Sequence, residues 1–131
     1  MPDGQLQLVL VTPEKTLLDI PVNDIRYPLY DGLAGILPSR APMVGRLGFG
    51  ELFAHTPSGE QSFYIDGGFI QVKENVVSVL TNDATPLKEL DSAALRQELS
   101  ELVQKVTLNE NEQTEKTNRI DRVRKMLSLA H

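Results

Sequence analysis

From Gln5 to Val11 apolar residues alternate with others, the period-two pattern of a half-buried strand. Thr12-Pro13-Glu14-Lys15 predicts a turn, its proline fixing φ. Short strands are expected near Thr16–Ile20 and Val22–Tyr27, parted by Pro21. A loop is expected over Asp31–Gly35, followed by the apolar pair Ile36-Leu37. Pro38-Ser39-Arg40-Ala41-Pro42 excludes regular structure, because two prolines flank three residues. Met43–Leu47 and Glu51–Thr56 predict further strands, and Pro57-Ser58-Gly59-Glu60 a four-residue hairpin connection to Gln61–Asp66. Gly67-Gly68 predicts a sharp bend into Phe69–Lys73, and Lys73-Glu74-Asn75 a turn into Val76–Thr81. Eight to ten short strands at this spacing predict an all-β antiparallel sandwich or flattened barrel.

After Leu90 the period changes from two to 3.6. Asp91 is a suitable N-cap, since its carboxylate accepts from orphan N–H groups. Leu95, Leu99, Leu102, Val103 and Val106 share one helix face. Thr107-Leu108-Asn109-Glu110 has the capping-box pattern, and a second stripe follows at Ile120, Val123, Leu127 and Ala130. Glu101–Lys105, Glu112–Lys116, Glu115–Arg119 and Asp121–Lys125 have the spacing of i,i+4 pairs. Two amphipathic helices with a short connection predict an antiparallel helical hairpin. The connection Thr107–Asn111 holds neither Gly nor Pro. The segment therefore also suits one continuous helix of about 58 Å.

Composition sharpens the boundary. All nine Gly and all eight Pro lie at or before Pro86, and the aromatic residues end at Phe69. The expected organisation is a β-sandwich domain over 1–86 and a two-helix domain over 87–131. Net charge is −5, but 116–131 carry five basic groups and one acidic group. The acidic balance argues against nonspecific nucleic-acid binding, while the basic last segment suits either a solvated helix face or docking onto an acidic protein surface. No apolar run is long enough to span a membrane, and the start of the chain resembles neither a signal nor a transit peptide. With no cysteine and two histidines there is no disulfide and no structural zinc site.

Candidate chemistry is sparse. Gly45-Arg46-Leu47-Gly48-Phe49-Gly50 is glycine-rich, yet it is neither a dinucleotide fingerprint nor a P-loop, and reads as a strand-to-strand turn. His55, between Ala54 and Thr56, reads as a strand residue rather than a base. Asp66 before Gly67-Gly68 has no second acid or base spaced to work with it. No catalytic constellation emerges, and a non-catalytic domain is expected. In the second helix Arg119 and Arg124 flank the apolar stripe while Arg122 and Lys125 point away.

Several stretches, in order and at matching spacing over nearly the whole chain, resemble the epsilon subunit of F-type ATP synthases. They are Val11-Thr12-Pro13-Glu14-Lys15, Gly35-Ile36-Leu37-Pro38-Ser39-Arg40-Ala41-Pro42, Asp66-Gly67-Gly68-Phe69, Val76–Ala84 (VVSVLTNDA) and Leu90-Asp91. The resemblance implies a non-catalytic rotor subunit coupling ion-driven rotation to ATP synthesis. Its sandwich would bind the gamma subunit and seat the central stalk on the c-ring. By family position Tyr30, Asp31, Gly32, Leu33, Ser39, Arg40, Ala41 and Pro42 would lie at that foot. The basic residues Arg119, Arg122, Arg124 and Lys125 would meet the catalytic alpha/beta head when the helices extend, impeding hydrolysis. The implied location is peripheral, on the cytoplasmic face of the bacterial inner membrane, without insertion. Ser39 and Arg40 replace the family's usual Gly and His, putting a cation at the foot. Some members bind ATP through (Ile/Leu)-Asp-x-x-Arg-Ala. Leu90 and Asp91 match it, but Ala94 and Leu95 stand at the Arg-Ala positions, and Arg96 lies farther round the helix. Leu90, Asp91 and Arg96 thus form at most a degenerate ATP site, and no cofactor is expected. The alternative reading is a stand-alone β-sandwich ligand-binding module with a helical dimerisation hairpin.

Overall fold

The computed structural model describes residues 5–30, 32–36 and 42–130, with the backbone alone for 32–36. The chain divides into two units, Met1–Pro86 and Leu87–His131.

The described residues of the first unit form eight strands: β1 Leu6–Val11, β2 Thr16–Val22, β3 Asp24–Leu29, β4 Gly32–Ile36, β5 Met43–Thr56, β6 Gly59–Lys73, β7 Val76–Leu80 and β8 Ala84–Pro86. They pair in the order β2-β1-β7-β6-β5-β3-β4, with β8 beside β6. This is the expected sandwich, with one difference: β1 pairs β7 in parallel, Leu8 opposite Val77 and Leu10 opposite Val79. Alternation fixes which face of a strand is buried but not the direction of its neighbour, so the expectation of a wholly antiparallel sheet fails at that pair.

The expected breaks at the glycines are continuous strand. Met43–Leu47 and Glu51–Thr56 merge into β5, and Gln61–Asp66 and Phe69–Lys73 merge into β6. The two keep a single register from Met43 opposite Val72 to Thr56 opposite Gly59. The glycines permit a bend without ending the strands: Gly50, Gly67 and Gly68 have φ of 152°, 78° and 115°. One half of β6 pairs β7 and the other half pairs β8, so the long hairpin serves both layers. Gly32–Ile36, expected to be mostly loop, is a strand paired with β3. Pro21 lies inside β2, tolerable because β2 ends the strand order and needs no ladder N–H on its outer side. Pro57-Ser58 is the whole turn of the β5–β6 hairpin, closed by the Thr56 hydroxyl donating to Gly59 O at 2.7 Å.

The core follows the alternation. Leu6, Leu8 and Leu10 of β1, Val77 and Val79 of β7, Ile65, Ile70 and Val72 of β6, Leu52 of β5, and Ile25 and Tyr27 of β3 are at most 1% exposed. Each such side chain stabilises the sandwich by about 1.5–3 kcal/mol over its exposed state.

The second unit opens with a short 3-10 turn, Leu87–Glu89, followed by α1 Ser92–Gln104 and α2 Glu110–Leu129, an antiparallel hairpin. Asp91 caps α1 as expected, its Oδ1 accepting from Ala94 N–H at 3.1 Å. The second cap falls two residues later than the expected capping box. Asn109 Oδ1 accepts from Glu112 N–H at 2.9 Å, and the Glu112 carboxylate accepts from Leu108 N–H at 2.6 Å. Leu95, Val123 and Met126 are buried. Met126 is outside the stripe expected for the second helix, and Val103 and Val106 of the stripe expected for the first are exposed.

Candidate functional site

Two surfaces carry the residues singled out in the sequence. The first lies on the sandwich. Tyr30 follows β3 and is 66% exposed. Its N–H donates to Arg46 O at 2.9 Å, and the Arg46 guanidinium lies 4.1 Å above its ring. Exposed cation–π contacts of this kind contribute about 0.5–1 kcal/mol and hold both side chains in place. Arg46 pairs across the ladder with Phe69, Phe69 with Leu80, and Leu80 with Val11. Directly paired residues project from the same face of a sheet. The outcome is one outward row running over β5, β6, β7 and β1, in which Phe69 is 57% and Leu80 49% exposed. Beside it, Val11, Pro13, Phe69, Leu80 and Thr81 help line a surface cleft of about 320 Å³.

Of the expected foot residues, Tyr30 belongs to this row. Gly32 and Leu33 are in β4, in register with Leu29 and Pro28. Pro42 is exposed immediately before β5, and Asp31, Ser39, Arg40 and Ala41 lie outside the described residues. Sequence reasoning missed Arg46, Phe69 and Leu80. The signal was present: with Ile70 and Val79 buried, alternation turns Phe69 and Leu80 outward.

His55 is a cross-strand residue, as expected. Its Nδ1 lies 2.8 Å from Asp24 Oδ1 and its Nε2 3.6 Å from Glu60 Oε1, carboxylates directly opposite it on β3 and β6. No group of three acidic or histidine side chains suited to a metal occurs among the described residues.

The second surface is the hairpin. Arg119 of α2 grips Glu98 of α1 with two of its guanidinium nitrogens, Nε to Oε2 at 2.5 Å and an Nη to Oε1 at 2.9 Å. The guanidinium holds the Glu98 carboxyl below the usual carboxylate range, mainly through these hydrogen bonds and against a smaller upward push from burial. Lys116, placed in the sequence to meet Glu112, donates instead to Lys105 O at 2.9 Å and Val103 O at 3.5 Å, at the end of α1. Arg122 donates to Asn118 O at 3.1 Å, and Arg124 and Lys125 are exposed. Of the degenerate ATP set, Asp91 serves as the helix cap, Leu90 donates its N–H to Leu87 O, and Arg96 is exposed on α1.

Over residues 5–87 the chain matches the family model described as the ATP synthase delta/epsilon chain, beta-sandwich domain. The chain belongs to the ATP synthase delta/epsilon family. The ATP synthase epsilon chain of Rhodopirellula baltica is 44% identical over 96 residues, 73% of this chain and 75% of that one. That of Leptospira borgpetersenii is 35% identical over 98 residues, 75% and 77% of the two chains. A chain in the cryo-EM structure of the Euglena gracilis mitochondrial ATP synthase, OSCP/F1/c-ring, superposes with a TM-score of 0.90 at 26% identity. It covers all of this chain and 84% of that one. A chain from the Tetrahymena thermophila enzyme, with a TM-score of 0.69 and 18% identity, shares the fold. As an epsilon-chain homologue the protein is a non-catalytic central-stalk subunit of an F-type ATP synthase, which displaces the stand-alone module reading. Among the described residues no helix is long and apolar enough to cross a membrane.

Proposed function

We propose that the two units divide the work. The sandwich seats the chain on the rotor, its Tyr30–Arg46–Phe69–Leu80 row against the gamma subunit and its β3–β4 end toward the c-ring. The helices regulate: as a closed hairpin they permit rotation, and when extended they enter the catalytic alpha/beta head and impede hydrolysis. Bacterial relatives support a place on the cytoplasmic face of the inner membrane.

One observation carries the regulatory part. The hairpin leaves Val103 54%, Val106 81% and Leu108 85% exposed. Val103 ends the stripe that begins at buried Leu95, and Val106, which would continue it in a longer helix, lies just beyond α1, so the apolar stripe in the sequence is longer than the closed hairpin buries. Covering each of these side chains against a partner is worth about 1.5–3 kcal/mol. The basic residues of α2, among them exposed Arg124 and Lys125, suit acidic segments of the head.

The test is ATP hydrolysis by the assembled enzyme carrying the chain cut after Leu90. Hydrolysis should rise about five-fold or more, the lower range of a coupling between two sites. An unchanged rate with the sandwich still bound would remove the regulatory part.

A further inference from the structure

We propose that the closed hairpin is a store of two cations, Lys116 and Arg119, which straightening of the helices releases for capture by an acidic partner surface. The inference rests on the reading that the hairpin opens, and adds the device that governs opening.

The bend is held by contacts that a continuous helix would replace one for one. Val103 O and Lys105 O accept from Lys116 in the hairpin. In an uninterrupted helix the same carbonyls would accept from the N–H groups of Thr107 and Asn109, four residues on. Glu112 N–H donates to the Asn109 side chain and would pass to Leu108 O. Leu108 N–H donates to the Glu112 carboxylate and would pass to Gln104 O. Each of these hairpin contacts thus has a helical counterpart four residues away, and no residue from Lys105 to Asn109 is Gly or Pro. What the straight helix cannot keep is the ion pair, because Glu98 and Arg119 are 21 positions apart, roughly 32 Å along a helix axis.

Opening therefore strips Lys116 of its two carbonyls and Arg119 of Glu98. Both lie in the 116–131 segment, where basic groups outnumber acidic ones five to one. Arg119 has two mutually exclusive partners, Glu98 when closed and an acidic surface when open. The acidic arm of the hairpin thus competes with the head for the same cation.

The chain has no cysteine, so spin labels at Ala93→Cys and Ser128→Cys report the hairpin alone. They are to be read in the assembled enzyme with its other reactive cysteines removed. A closed hairpin gives a short separation and a continuous helix about 52 Å. Glu98→Gln should raise the ratio of extended to closed roughly two- to five-fold, the effect of an exposed ion pair, and deepen inhibition of hydrolysis. Arg119→Gln should loosen the closed state too, yet inhibit less than Glu98→Gln, because the released cation is gone. Glu101→Gln, on the same helix outside the ion pair, should change neither readout. A Glu98→Gln distribution that matches the Glu101→Gln one overturns the latch, even if truncation after Leu90 still activates hydrolysis. A shifted distribution with unchanged hydrolysis supports the latch and removes the inhibitory reading instead. Equal inhibition by the Glu98→Gln and Arg119→Gln enzymes overturns the hand-over.

Discussion

Replacing Gly68 by alanine will cost the sandwich about 3 kcal/mol or more and lower its melting temperature by roughly 12 °C or more. Gly68 sits at φ 115°, and a β-carbon there would overlap the carbonyl oxygen of Leu80 and lie 2.9 Å from Thr81 Cα. Both are backbone atoms of the segment that closes the sheet, so nothing flexible can yield. The neighbouring glycine is the control. Gly67 has φ 78° with open space around its missing side chain. Alanine there meets conformational strain alone, about 1–2 kcal/mol. Thermal unfolding of the two variants, side by side, should separate them clearly. Equal losses would mean that close approach of backbone to backbone is not what requires Gly68. The Gly-Gly pair by which the chain resembles its family thus has two physical roles: one residue for a dihedral angle, the other for both angle and space.

With the sandwich seated as proposed, a single carboxylate on the exposed row will weaken its hold on the gamma subunit. Phe69→Asp should weaken binding to the gamma subunit by about 30-fold or more, the loss expected when an aromatic anchor at the centre of an interface is removed. The row has the composition of such an anchor: an aromatic ring and an apolar side chain flanked by an arginine stacked on a tyrosine. The introduced carboxylate would also be desolvated on docking, adding to the loss. Because Phe69 is 57% exposed in the chain itself, folding should hardly change, within about 0.5 kcal/mol. Isothermal titration against the isolated gamma subunit checks the affinity, and a thermal melt checks the fold. Undiminished affinity would place the rotor contact elsewhere on the sandwich.

Much of this molecule was legible before its fold was seen, and the reasons differ between elements. Leu6, Leu8 and Leu10 announce a strand and its buried face because burial has the same period as the backbone. Asp91 announces a helix start because its carboxylate has a local task, within a short reach of the backbone it caps. Pairing direction is different in kind. Nothing within β1 says that its neighbour will be β7 running parallel, a contact between residues about 70 positions apart in the chain. Glycines mislead in the same way. Gly48, Gly50, Gly67 and Gly68 read as ends of strands, yet a hairpin as long as β5–β6 uses them to turn from one layer to the other.

The candidate residues divide along the same line. Tyr30 was found by family position, but its partners Arg46 and Phe69 were not, since they join it only through strand register. Arg119 was assigned a local partner, Glu115, one turn away. The folded hairpin also places Glu98 opposite it, and a bidentate grip across two helices outranks spacing along one. The bend holds neither glycine nor proline, and side chains of Asn109, Glu112 and Lys116 stand there where helical N–H groups and carbonyls would otherwise meet, the contacts on which the proposed opening would act.

If the chain works as a rotor subunit through its sandwich, it must bind the gamma subunit rather than itself. The most direct measurement is the mass of the purified chain, by light scattering on gel filtration, alone and mixed with the gamma subunit of its own enzyme. The expected result is a monomer alone and a one-to-one complex that elutes together with gamma. A dimer of the chain that ignores gamma would contradict it.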